Sequence, residues 1–373
     1  MKKLIFLLTC FFVASPFIFS QMRGMTGHDL AGEIYVEGGK HHVQGIAYDP
    51  DGGRMYFSFT DRFISTDLEG NVKGSVEHIQ GHLGAMVFDR KSRKVYASLE
   101  CKDDVIGQGL SDFAKGRSMF YIAIIDVDKV ISEEMDSEGN EAFKIVCVRE
   151  ATKDYHLKGF GPEGKEFEHF YGCSGIDGVA IAPKIGKKGG KNYLYLAYGI
   201  YGDTSRSDND SQVLLRFDMA GLEKYAGPVK FGEFYSEGPS KPLDKYFIYT
   251  GNTNWGVQNM AYDPGSGKMF MFVYKGSKEQ FTNYNAFAFD VSRRPVKKGL
   301  IGVPYDSSRH YVVGSWENPV QGIFFKYGST GVSPLGGGDF LFSENGRSET
   351  TGNQYCRVKL YRWDGNSFIP SQN

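Results

Sequence analysis

Several things are scarce in this 373-residue chain. The first is an excess of charge of either sign: 43 Lys and Arg face 44 Asp and Glu, for a formal net charge of -1. No basic surplus exists to meet a phosphate backbone, so nucleic acid is not an expected partner. Cysteine is also sparse, at five residues, and none forms a CxxC pair. That argues against a structural zinc site, and the spacings of Cys101, Cys147, Cys173 and Cys356 nominate no disulfide. Ala- and Leu-rich helical stretches are few. There is no P-loop, no GxGxxG before a helix and no GxSxG elbow, so phosphate-cradling, dinucleotide and serine-hydrolase chemistries lack their usual signatures.

A long apolar run occurs only at the start, in MKKLIFLLTCFFVASPFIFSQ. Lys2 and Lys3 form a basic lead, Leu4 to Phe19 is apolar, and Pro16 interrupts it. A membrane anchor needs about 20 apolar residues. The stretch therefore reads as a secretory signal over residues 1–20, cut near Ser20–Gln21, with residues 21–373 forming one domain. The alternative lipoprotein box, LLTC at 7–10, comes too early and carries Thr9 where a small residue is usual. A periplasmic or secreted monomer without a stable membrane span is the expectation.

What the chain has in quantity is glycine (48 residues) and aromatics (15%), a composition of short strands and tight turns. It also repeats itself. HVQGIAYDPDGGRMYFSFTD (42–61) aligns without a gap on HLGAMVFDRKSRKVYASLEC (82–101) and on GVQNMAYDPGSGKMFMFVYK (256–275). Looser copies are GIDGVAIAPKIGKKGGKNYLYLAYG (175–199) and GSTGVSPLGGGDFLFSENG (328–346). Each is strand, polar turn, strand. Further strand-like runs follow: SMFYIAIIDV and AFKIVCVRE after the second copy, SQVLLRFDM and PVKFGEFYS after the third, NAFAFDV after the fourth. Four strands per unit, repeated five times, predict an all-β, five-bladed β-propeller. AGEIYVEG (31–38) would supply the outer strand of the last blade. The alternative is a seven-bladed ring with two undetected blades, one of them hidden between residues 82 and 175.

In such a ring the first strand of each repeat starts on the face where the second ends. The starts are His42, His82, Gly175, Gly256 and Gly328. Two places on, on the same side of the strand, lie Gln44, Gly84, Asp177, Gln258 and Thr330. The second-strand ends are Thr60, Glu100, Gly199, Tyr274 and Glu344. Packing alone would keep these positions apolar in every blade. Instead glycines make room and polar groups face it. Lys102, Asp103, Asp104, Tyr171, Asn254, Trp255 and Asn345 lie just beyond.

The densest cluster is SLECKDDVIGQG (98–109). His42, His82, Glu100 and Asp104 are candidate ligands for a divalent ion of Zn or Mn type. Such an ion would polarise a carbonyl and acidify its water. Asp103 or Asp104 would serve as base, and His82 as ligand or acid. The competing reading is that these groups tie loop backbones together. Asp177 is open between sugar binding, acid–base work and capping of loop amides. Trp255 would stack on a sugar face, with Gln44, Tyr171, Asn254 and Gln258 beside it for hydroxyls. Asp208 and Asp210 hint at calcium, but the EF-hand frame is missing, and a solvated loop is the better reading.

HVQGIAYD with YFSFTD, GHLGAMVFD followed by SLECKDDVIGQG, and GIDGVAIAPK followed by YLYLAYGIYGDTSRSDNDSQVLLRFD carry a resemblance. Over roughly residues 40 to 345 the chain resembles the five-bladed propeller domain of gut-bacterial deacetylases. These act on the terminal N-acetyl-α-galactosamine of the blood-group A antigen. The resemblance implies metal-dependent amide hydrolysis on an N-acetyl hexosamine at the propeller mouth. The positions fitting such roles are His42, His82, Glu100, Asp103 and Asp104. Members also carry a carbohydrate-binding module, for which the stretch to Asn373 is expected to hold no room.

Three functions follow as expectations. The first is a metal-dependent carbohydrate deacetylase. The second is a glycoside hydrolase using Glu100 with Asp177 or Glu344. The third is a non-catalytic glycan binder, against which the asymmetry of the polar positions argues.

Overall fold

A computed structural model describes residues 33–110, 115–160, 164–168, 175–200, 204–206, 209–251, 256–300 and 310–371. The signal expected over residues 1–20 lies outside them.

Five mainly antiparallel sheets form five blades, with a parallel outer pair in blades 1 and 3. The innermost strands are Gly45–Asp49, His82–Asp89, Gly178–Pro183, Val257–Asp263 and Val332–Gly336, the five repeat starts. They pack side by side around a central axis, with the first against the last. The second strands are Arg54–Ser58, Lys94–Cys101, Asn192–Gly199, Lys268–Val273 and Asp339–Arg347. Among the described residues, no sixth blade lies between 82 and 175. The gap holds the rest of blade 2, a short outer strand for blade 1 (Met135–Asp136), helix Arg149–His156 and a small hairpin. The helix is anchored by Asp154, which accepts from Tyr198 and pairs with Lys245 of blade 3.

Local chemistry explains the repeat. The aspartate closing each of three inner strands caps its hairpin: Asp49 accepts from Asp51 and Gly52 N–H, Asp89 from Ser92, and Asp263 from Gly265 and Ser266. A short carboxylate two or three residues before the turn is suited to that task. The repeated serine stitches blades together. Ser58 Oγ donates to Gly84 O at 2.7 Å, and Ser98 Oγ donates to Asp177 O at 3.1 Å. Gly45 lets two inner strands approach, since a Cβ there would lie 2.8 Å from the Ala85 backbone. Aromatic residues fill the wedges between blades. Phe270, Phe272, Phe340, Phe342, Tyr361 and Phe368 pack between blades 4 and 5.

The ring closes as the sequence predicts. Ile34–Gly39 pairs with one half of strand Gln354–Trp363, and Phe368–Pro370 pairs with the other half. One expectation is corrected. The fourth strand of blade 3 is Asp244–Tyr249, not PVKFGEFYS. That segment instead begins at Pro228, which with Gly227 forms a short strand on the outer edge of blade 2. Its aromatic Tyr235 packs over Gly227, whereas Tyr246, Phe247 and Ile248 are buried and pair along Ser211–Phe217. Burial on both faces decides a middle position in a sheet.

Candidate functional site

At the face where the inner strands begin, the ring opens into a cavity of about 810 Å³. Its wall includes His41, His42, Gln44, Thr60, His82, Glu100, Lys102, Asp104, Asp177, Gln258 and Tyr274. The two strands of blade 2 set His82 directly opposite Glu100. Beyond His82 the inner strand bulges between Leu83 and Met86. A matching irregularity in blade 4 shifts the register between Val257 and Asn259, at Gln258, which lies on the cavity wall. Bulges re-aim side chains in this way beside functional sites.

His82, Glu100 and Asp177 form the tight group. One ligand atom from each lies within 4.8 Å of the others. Glycine makes the space. A Cβ at Gly175 would lie 1.4 Å from Glu100 Oε1, and one at Gly84 would lie 3.0 Å from Asp177 Oδ1. Glu100 is almost wholly buried and accepts the Ile176 N–H on Oε1. Lys102 Nζ sits 3.0 Å from its Oε2, and His82 Nδ1 sits 3.8 Å from the same oxygen. Burial pushes the Glu100 carboxyl up, but the Lys102 ammonium and the His82 imidazole outweigh it and hold it below its ordinary value. Burial likewise pulls His82 down, but the Glu100 and Asp177 carboxylates hold it above its ordinary value. Asp177 has the opposite fate. Burial, then the Glu100 charge, push it up to about 7. Its Oδ1 is buried with no hydrogen-bond partner. A solitary buried carboxylate oxygen is costly unless something positive or a proton meets it.

The other sequence candidates divide. His42 lines the cavity, with its Nε2 2.6 Å from Gln44 Nε2, a spacing that makes the imidazole nitrogen the acceptor. Burial, then the His82 charge, lower its pKa and keep it neutral. It stands outside the tight group. Asp104 lines the cavity too, but its Oδ2 faces Lys102 at 3.3 Å and its Oδ1 caps the Gly107 N–H at 2.7 Å. Asp103 is exposed and accepts from Gln108, outside the cavity wall. Glu344 is bound to Lys359 at 2.8 Å and to Tyr361 at 3.2 Å, and is not on the wall. Asp210 is bound by Lys278. Tyr171, Asn254 and Trp255 lie outside the described residues, as do Asp208 and Cys173. Cys101, Cys147 and Cys356 are buried free thiols.

Lys102 is the functional candidate that the sequence reading undervalued. It follows Glu100 by two places in one extended segment, so both side chains share a face. That spacing was the available signal.

The donor set fits a divalent cation. One imidazole and two carboxylates make a ligand group that Zn- and Mn-type ions accept. The ligands that geometry favours are His82, Glu100 and Asp177, with Asp177 in the place expected for His42 or Asp104. The unpartnered Asp177 Oδ1 is the observation in its favour.

No helix among the described residues is long and apolar enough to cross a membrane. No protein-family model matches the chain, and no curated protein does. Solved structures that match include the β-propeller domain of Cps50 (Swd1) from Myceliophteria thermophila, at 10% identity and a TM-score of 0.26. The match covers 63% of this chain and 51% of that one, about half its length.

Proposed function

We propose that the mouth of the ring is the active site of an exported, metal-dependent amide hydrolase that removes the acetyl group from an N-acetylated hexosamine of a glycan. The observation that carries this reading is the buried, unpartnered Asp177 Oδ1 within 4.8 Å of His82 and Glu100 donor atoms. The resemblance in the repeats supports it. A divalent ion held there supplies Lewis acidity toward the acetamide carbonyl.

The chain's own groups do the rest. Lys102 keeps Glu100 ionised, so the ligand charge is in place before substrate arrives. Asp104, on the cavity wall beside Lys102, takes the proton from the attacking water. Asp104 returns that proton to the departing amine, while His42, neutral and accepting from Gln44 on Nε2, offers its Nδ1–H as a hydrogen-bond donor to the substrate. Gln44 and Gln258 face the cavity with carboxamides suited to sugar hydroxyls. The test is acetate release from N-acetylated glycan substrates by purified protein, alongside its metal content. Acetate release that a chelator abolishes is expected. Turnover unaffected by chelation would sink the reading.

One observation favours a second reading. Glu100 is held ionised while Asp177, within 4.8 Å, is pushed up to about 7. Two carboxylates with divergent pKa values are the arrangement of an acid and its partner. Retaining glycosidases hold theirs about 5 Å apart. Sugar release without metal dependence would establish this alternative. Its partner would be Asp177, since Glu344 is engaged elsewhere.

A further inference from the structure

A second cavity, of about 530 Å³, opens where blades 3 and 4 meet. Strand direction places it on the same face as the mouth. The fourth strand of blade 3 ends at Tyr249, opposite the start of its neighbour at Ser211. Strand Tyr311–Val313 runs parallel to it and leads to Trp316. Residues 274–285 join the end of one blade 4 strand to the start of the next, where Phe272 pairs with Ala286.

Rings and carboxamides make its wall: Trp316, Phe281, Tyr284 and Tyr249, with Gln280 and Asn283. Trp316 is 61% exposed. Phe281 braces it edge-on with centroids 5.6 Å apart, and Tyr249 in turn braces Phe281. The indole is thus held in place while much of its surface stays open to solvent. Asn283 is also fixed. Its Nδ2 donates to Lys278 O at 2.7 Å and to Phe281 O at 2.9 Å, which sets the amide orientation. Its Oδ1 is buried and has no partner. Among the described residues, no charged side chain lines this cavity. An acidic or basic ligand would find no counter-charge. A neutral ring with an apolar C–H face and hydroxyl edges matches each of these features.

We propose that this cavity is a distal glycan subsite. It takes a neutral hexose ring, with Trp316 as the stacking platform and Asn283 Oδ1 as a hydroxyl acceptor. A chain seated there runs along the same face toward the mouth. That last step rests on the function proposed above, and the subsite itself does not.

The test uses the full chain, fluorescently labelled, on a printed glycan array. Wild type, Trp316→Ala, Trp316→Phe and Asp177→Asn are compared, with melting curves as folding controls. Wild type is expected to label a set of glycans. Trp316→Ala should lose that labelling about tenfold, a loss of about 1.4 kcal/mol, while Trp316→Phe keeps part of it. Asp177→Asn should label like wild type. No labelling by wild type, or equal labelling by Trp316→Ala, overturns the proposal. Loss of labelling in Asp177→Asn also overturns it, because the glycan is then held at the mouth. Acetate release that persists in Asp177→Asn counts against the proposed function alone and leaves the subsite standing.

Discussion

Gly175 and Glu100 occupy one space. A Cβ on Gly175 would lie 1.4 Å from Glu100 Oε1, so the backbone leading into blade 3 is shaped around a carboxylate of blade 2. Gly175→Ala should force Glu100 out of its cradle. Overpacking of this kind costs about 1–3 kcal/mol. Chemical denaturation should show that loss, and metal content should fall with it.

Metal capture should depend on three side chains and spare a fourth. His82→Ala, Glu100→Gln and Asp177→Asn should each lower bound metal at least about tenfold, or about 1.4 kcal/mol per variant. His42→Ala should keep the metal and lower kcat. Mass spectrometry for metals beside acetate-release kinetics checks both. If His42→Ala loses metal as fully as His82→Ala, the two imidazoles share the ion after all.

Removing Lys102 leaves Glu100 buried beside a single imidazole. Breaking a buried pair costs about 3–5 kcal/mol. The sign with pH is fixed by Glu100, whose carboxyl is held below its ordinary value in the folded chain. Its favourable contribution is present above the unfolded value of about 4.3 and fades as pH falls through the folded one. Lys102→Met should therefore be most destabilised above about pH 5 and approach wild type in acid. Melts across pH 4 to 8 would show a deficit that shrinks on acidification.

Asp177 behaves in the opposite sense. Its folded pKa is raised, to about 7, so the folded chain holds the proton longer than the unfolded one. In chelated protein its burden on stability grows as pH rises from about 4 to 7 and is complete above that. Asp177→Asn should melt above chelated wild type at pH 8, by about 1–3 °C, and match it at pH 4. Added Mn²⁺ or Zn²⁺ should raise wild type and leave Asp177→Asn in place. Equal responses of the two proteins to metal would remove Asp177 from the ligand set.

The repeat made the ring legible. Asp49, Asp89 and Asp263 stand in one frame because each caps the same hairpin, and Ser58 and Ser98 recur because each stitches one blade to the next. Pairing within a blade was legible too, since matched strand ends put His82 across from Glu100. What crosses between blades was legible only in part. The sequence offers Glu100 either Asp177 or Glu344 as its partner. It is Asp177 that reaches it from blade 3, through space opened by Gly84, while Lys359 holds Glu344. Rotamers were hidden. Asp103 and Asp104 are neighbours in sequence, yet one turns to Gln108 in solvent and the other to Lys102 in the cavity. The strand order at the rim of blade 3 was misread because an aromatic-rich run resembles a strand whether or not a sheet edge has room for it.

The clasp in blade 5 has a consequence for when the cavity exists. Val36 pairs with Cys356, and the chain turns from that strand almost at once into His42. Thr60 and Asn345 then hold the carbonyls of His42 and Val43 from either side. The first wall of the mouth is thus set by a strand, Gln354–Trp363, that is made only after the four preceding blades. A ribosome-bound or shortened chain has no partner for Ile34–Gly39, and its mouth stays open on one side. Closure of the ring and completion of the cavity are one event.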